Sequence, residues 1–145
     1  MLPKDRNNPP PITGILETCL YVGDVPRSRE FYQRLFGFEA VLADDRIATL
    51  AVVPGQVLIL FKQGATTDPI PVGEGFIPPH DGGGRQHFAL SIGADDLEAW
   101  RRRLAGQGIA AESEVDWPAG GRSLYFRDPD GLLVELATPG LWAKK

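Results

Sequence analysis

The chain has 145 residues, 43% of them hydrophobic and 23% charged, with 15 Lys and Arg against 19 Asp and Glu. That length suits one domain with its own core, and a net charge of −4 argues against a broad electrostatic footprint for nucleic acid. The single cysteine, Cys19, has no internal disulfide partner, which fits a reducing cytoplasm, and no stretch approaches the ~20 apolar residues of a membrane span.

Residues 1–13 read as an N-terminal arm, because Pro9, Pro10 and Pro11 fit neither a helix interior nor a central strand. Residues 15–22 have strand length and composition, and Gly23-Asp24 ends them. Asp24 is the expected N-cap of a helix over 26–36, with Pro26 in its first turn, Phe31, Tyr32, Leu35 and Phe36 along one side, and Gly37 at its end. Strands are predicted at 38–42, 47–53 and 57–62, with a Pro54-Gly55 turn between the last two. A Gly/Pro-rich connector, 64–84, reads as mobile, with a lid as its functional reading and His80 as a loop residue. The order then recurs as a strand over 86–92, a helix over 95–104, and strands at 109–114, 122–127 and 132–138. Arg101, Arg102 and Arg103 read as a solvated face of that second helix. Gly93 follows Gly23 by 70 residues, whereas 131–140 follows 55–64 by 76; the extra residues fall in the loop at 117–121.

This duplication predicts an α+β fold of two tandem βαβββ modules, 14–63 and 85–140, within one domain over 14–140, followed by a tail at 141–145 that Trp142 anchors. The modules are expected to form a curved mixed sheet around a central cavity, with the helices outside. Strand alternation sorts the side chains. Glu17, Cys19 and Tyr21 share one face, as do His87, Ala89 and Ser91, and Leu133, Glu135 and Ala137. Glu135 is a lone carboxylate in an apolar strand and needs a cation, a partner or water. Glu17 and His87 occupy equivalent points of the two first strands, so the repeat is expected to bring them together. Glu17, His87 and Glu135 form a donor set suited to a divalent Mn, Fe, Ni, Co or Zn ion with open positions for substrate. Ile59, the counterpart of Glu135, has no donor atom. Tyr21, Ser91, Ser123 and Tyr125 are candidate substrate contacts, although strand packing explains them equally well. Asp128-Pro129-Asp130-Gly131 reads as a turn, and Cys19 as a small buried thiol.

The chain resembles the vicinal oxygen chelate superfamily, which includes glyoxalase I, bleomycin-resistance proteins, fosfomycin-resistance enzymes and extradiol dioxygenases. The resemblance rests on Leu20-Tyr21-Val22-Gly23-Asp24, on Phe31-Tyr32 with Leu35-Phe36-Gly37, on His87-Phe88-Ala89-Leu90, and on the run from Leu124 to Gly131 followed by Val134-Glu135-Leu136. It implies metal ligation by Glu17, His87 and Glu135, with Glu17 or Glu135 as general base, a small-molecule substrate and a homodimer, which in some relatives exchanges halves. It also implies lyase, isomerase or thiol-transfer chemistry more readily than ring cleavage, because Glu17 stands where relatives more usually carry His or Gln. Ile59 departs from the four-ligand glyoxalase I pattern. The contrasting reading is a non-catalytic protein that sequesters an antibiotic or other planar molecule.

Overall fold

The computed structural model describes residues 8–142. Residues 8–16 are exposed and belong to no helix or strand, while the rest of the expected arm (1–7) and tail (143–145) lies outside the described residues. The first module comprises β1 (Glu17–Val22), α1 (Val25–Phe36), β2 (Glu39–Ala43), β3 (Ile47–Val53) and β4 (Gln56–Lys62). A short hairpin, β5 (Ile70–Val72) with β6 (Gly75–Ile77), interrupts the connector. The second module comprises β7 (His87–Ser91), α2 (Leu97–Gly106), β8 (Ser113–Asp116), β9 (Arg122–Arg127) and β10 (Leu133–Ala137).

The strands form two mixed sheets of four, ordered β1-β4-β3-β2 and β7-β10-β9-β8. In each, the first strand runs parallel to the last and the remaining pairs are antiparallel. Glu17 lies opposite Val57 and His87 opposite Leu133, so two residues on, Ile59 and Glu135 occupy the same place in their sheets. The duplication read from the sequence is therefore a duplication of hydrogen-bond register.

Local chemistry explains the element ends. Asp24 adopts an extended backbone and its carboxylate accepts from the Arg27 N–H at 3.1 Å, while Gly37 closes α1 at φ 72°, a left-handed conformation that disfavours residues with a Cβ. β8 starts four residues later than the sequence predicts. The Ile109 N–H returns to the Leu104 carbonyl at 2.9 Å across Gly108 (φ 70°), so the residues after α2 complete its last turn instead of joining the ladder.

One core unites the modules. Val25, Ser28, Tyr32 and Leu35 form the buried stripe of α1, and the aromatic rings continue across the junction, Tyr32 to Phe88 at 6.0 Å and Phe36 to Trp100 at 5.3 Å. Polar ties reinforce it. The Tyr32 hydroxyl donates to buried Asp128 at 2.7 Å, and Asp130 accepts from the Gly23 N–H and the Ser28 hydroxyl. The Asp128–Gly131 turn is thus also the clamp that holds the start of α1. The arginine run is only partly a solvated face: Arg101 bridges Glu98 and Glu114, whereas Arg103 donates to the carbonyls of Leu35 and Arg34, the open C-terminal end of α1. At the free edge of β1, the Gln86 side-chain amide accepts from the Tyr21 N–H and donates to the Tyr21 carbonyl, both at 2.8 Å.

Candidate functional site

Each sheet keeps one face under helix and core, and Glu17, His87 and Glu135 lie on the other. On the open face of the second sheet, His87 Nε2 stands 3.2 Å from Glu135 Oε1. His87 Nδ1 lies 2.9 Å from the Leu133 carbonyl oxygen. A carbonyl only accepts, so the proton sits on Nδ1, and Nε2 turns toward the carboxylate. A neutral Nε2 lone pair and a carboxylate oxygen at that distance require a proton or a metal cation between them. Backbone anchoring of the far ring nitrogen is also how metal-binding histidines are held. The donor chemistry of the pair therefore fits a divalent ion.

The other carboxylate oxygen is held from below. The Ser123 hydroxyl donates to Glu135 Oε2 at 2.5 Å, and the Trp117 indole N–H donates to Ser123 Oγ at 2.8 Å. Glu135 is buried, which resolves the lone carboxylate seen in the sequence: both oxygens have partners. Above the pair opens a cavity of about 630 Å³, walled by Trp117, Tyr125, Leu141 and Trp142 and floored by Ala89 and Ala137. Burial and then the Glu135 charge hold the Tyr125 hydroxyl above its ordinary pKa, so it remains a proton donor.

Among the described residues, no three His, Cys, Asp or Glu side chains gather closely enough to hold a metal ion. One chain joins His87 to Glu135 and leaves Glu17 apart, at the exposed start of β1. The expectation that the repeat brings Glu17 and His87 together across a central cavity is not met within a single chain. The cavity at the junction of the modules, about 460 Å³, is instead apolar, lined by Leu16, Phe36, Phe38, Phe88 and Trp100 among others. Ile59 is buried on β4, as its position in the repeat requires.

The four candidate substrate contacts separate. Ser91 lines both cavities and Tyr125 lines the one at His87. Ser123 is only 1% exposed and its hydroxyl serves Glu135. Tyr21 directs its hydroxyl to His80 Nδ1 at 2.6 Å. His80 also packs edge-on against Phe61, and Asp81 accepts from the N–H groups of Gly64 and Gly82, so the connector is tied onto the open face of the first sheet. Two expectations are corrected outright. Cys19 is exposed, because the connector meets that face at Tyr21 and Phe61 and leaves the thiol open, and Trp142 is 88% exposed at the cavity rim. The residue the sequence did not single out for the site is Trp117. Its signal was present, since it opens the loop by which the second module exceeds the first.

A profile of the Glyoxalase/Bleomycin resistance protein/Dioxygenase superfamily matches residues 14–136. The chain belongs to that superfamily. A crystal structure of lactoylglutathione lyase from Agrobacterium tumefaciens is similar to this superfamily member with a TM-score of 0.83 and 30% identity, over 93% of this chain and all of that one. Metallothiol transferase FosB from Shouchella clausii is 43% identical over 54 residues, 36% of this chain and 37% of that protein, so the matched stretch spans little more than a third of the relative. The fosfomycin resistance protein FosX from Listeria monocytogenes, described in complex with Mn(II) and sulfate, aligns with a TM-score of 0.63 at 22% identity over 90% of this chain and 93% of that one; at that identity the likeness speaks for the fold alone.

Proposed function

We propose that this superfamily member is a metal-dependent enzyme acting on a small oxygen-rich substrate, working as a homodimer in which Glu17 of the partner subunit completes the His87–Glu135 pair. The observation that carries the reading is the pair itself: an imidazole with its far nitrogen fixed on a backbone carbonyl, facing a carboxylate oxygen inside an open cavity. Two features support entry of Glu17 from a second copy. It begins a sheet edge whose preceding residues, Ile15 and Leu16, are 77% and 65% exposed, and it lies apart from the pair in its own chain. A divalent ion at this site supplies Lewis acidity that stabilises negative charge developing on a substrate oxygen. The chain's own residues do the rest. Tyr125 donates a hydrogen bond to the substrate, Trp117 and Leu141 wall its binding place, and Glu17, which has no hydrogen-bond or ion-pair partner among the described residues, takes the proton as general base.

One histidine and two carboxylates match the donor set of proton-transfer and addition chemistry better than the two-histidine, one-carboxylate set of iron oxygenases. The likenesses to a lactoylglutathione lyase and a metallothiol transferase favour a lyase, isomerase or thiol-transfer reaction with a thiol-bearing substrate or co-substrate. The test is element-resolved metal analysis after loading with Mn, Co, Ni or Zn, followed by a screen of thiol and vicinal-oxygen substrates. His87→Ala and Glu135→Ala are expected to lose stoichiometric metal. Equal metal in wild type and Glu135→Ala refutes the assignment. Mixing Glu17→Ala with Glu135→Ala chains separates the dimer arrangements: random pairing restores about a quarter of wild-type activity if sites are shared between subunits, and none if each site is built within one chain.

A further inference from the structure

We infer that Trp117 and Ser123 form a positioning relay that fixes the orientation of the Glu135 carboxylate, holding one oxygen so that the other faces His87; the inference rests on the metal-site reading above. The indole N–H is a donor only, so its bond at 2.8 Å fixes Ser123 Oγ as the acceptor there. The serine hydrogen is then free to point at Glu135 Oε2, 2.5 Å away. With Oε2 engaged, Oε1 is the oxygen left to meet His87 Nε2. Every link is directional, and the chain of donors runs from the cavity wall through a serine that is 1% exposed into the buried carboxylate.

The duplication supplies an internal control. Ser123 pairs across the sheet with Ala137, and the equivalent pair in the first module is Ile47 with Phe61. Where Glu135 becomes Ile59, Ser123 becomes Ile47, and the first module's turn between β2 and β3 carries no Trp117. The serine and the indole thus occur only in the module that carries the carboxylate. A role confined to packing would leave the hydroxyl and the indole N–H replaceable by apolar groups of the same shape. Trp117 also belongs to the cavity wall, so a ligand that displaces the indole loosens Ser123 and with it the carboxylate.

The experiment compares Mn(II) binding by calorimetry in the full chain for wild type, Trp117→Phe, Ser123→Ala and Ser123→Thr, with thermal melting of each metal-free protein. Trp117→Phe removes the donor and keeps a smaller aromatic ring, so the melting of the metal-free protein reads the packing that is lost with it. Expected is a loss of Mn(II) affinity of roughly 10-fold for Trp117→Phe and roughly 10- to 100-fold for Ser123→Ala, the range seen when partners of metal ligands are removed. Ser123→Thr, which keeps the hydroxyl, is expected to stay within a few-fold of wild type. If Trp117→Phe and Ser123→Ala both bind Mn(II) within twofold of wild type, the relay is overturned and the metal site stands. If wild type binds no divalent ion, both fall. If affinity falls only in step with melting temperature, and Ser123→Thr falls with it, the relay is overturned in favour of a structural role.

Discussion

Tyr32→Phe probes the contact that locks the two modules together. The Tyr32 ring is fully buried and its contacts with Phe31, Phe36 and Phe88 survive the change, so the variant removes one hydroxyl and no core volume of consequence. That hydroxyl donates at 2.7 Å to a carboxylate that is 6% exposed. A hydrogen bond to a charged group contributes about 1.5–3 kcal/mol, and the lower half applies here because the N–H groups of Asp130 and Leu132 still serve the other oxygen. The expected loss of about 1.5–2 kcal/mol lowers the folding constant on the order of 10- to 30-fold. In a chain of this size it lowers Tm by roughly 3–8 °C. Urea unfolding followed by tryptophan fluorescence measures it, with an unchanged m-value as the control. The pH dependence is a second signature. Burial, opposed by Tyr32 and the two N–H groups, holds the Asp128 carboxyl above the ordinary aspartate range. A group raised in this way contributes its full stabilisation below its unfolded pKa and loses it as pH climbs through the folded value. Deleting Tyr32's donor raises the folded value further, so the penalty grows with pH above the ordinary aspartate range. In acid it shrinks to the roughly 0.5–1.5 kcal/mol of a neutral bond. A penalty below about 0.5 kcal/mol at neutral pH, or one that grows in acid, refutes the argument.

Cys19 is accessible, but partial burial and then the Glu17 charge raise its thiol pKa, so alkylation by iodoacetamide is expected to be slow at neutral pH and to accelerate above the ordinary thiol value. Glu17→Gln removes the second of those causes and is expected to speed the reaction at a given pH; an unchanged rate contradicts it. Gly82→Ala places a Cβ 2.5 Å from the Tyr21 ring, and because that ring is held between Phe61 and His80 the clash is expected to destabilise the fold by about 1–3 kcal/mol, read as a lower Tm.

The module plan was legible because a duplicated register leaves a duplicated sequence, down to the equivalence of Ile59 with Glu135. Helix ends were legible for the same local reason, since Asp24 and Gly37 cap α1 with their own atoms. The β5–β6 hairpin was not, because three-residue strands around Gly73 and Glu74 are too short to show an alternation. Exposure was the weakest reading. Cys19 alternates correctly with Glu17 and Tyr21, but whether that face is covered depends on distant segments or a second chain. Ser123 shows the converse: the sequence offers it as a candidate substrate contact, and the fold commits its hydroxyl to Glu135 and Trp117.

The amide of Gln86 carries a donor and an acceptor at the spacing of a peptide group and occupies one rung of the unpaired ladder of β1. An incoming strand would have to expel that amide before it could register against Tyr21. A single side chain thus acts as a stopper against sheet growth between molecules, the hazard that bare sheet margins pose at high protein concentration.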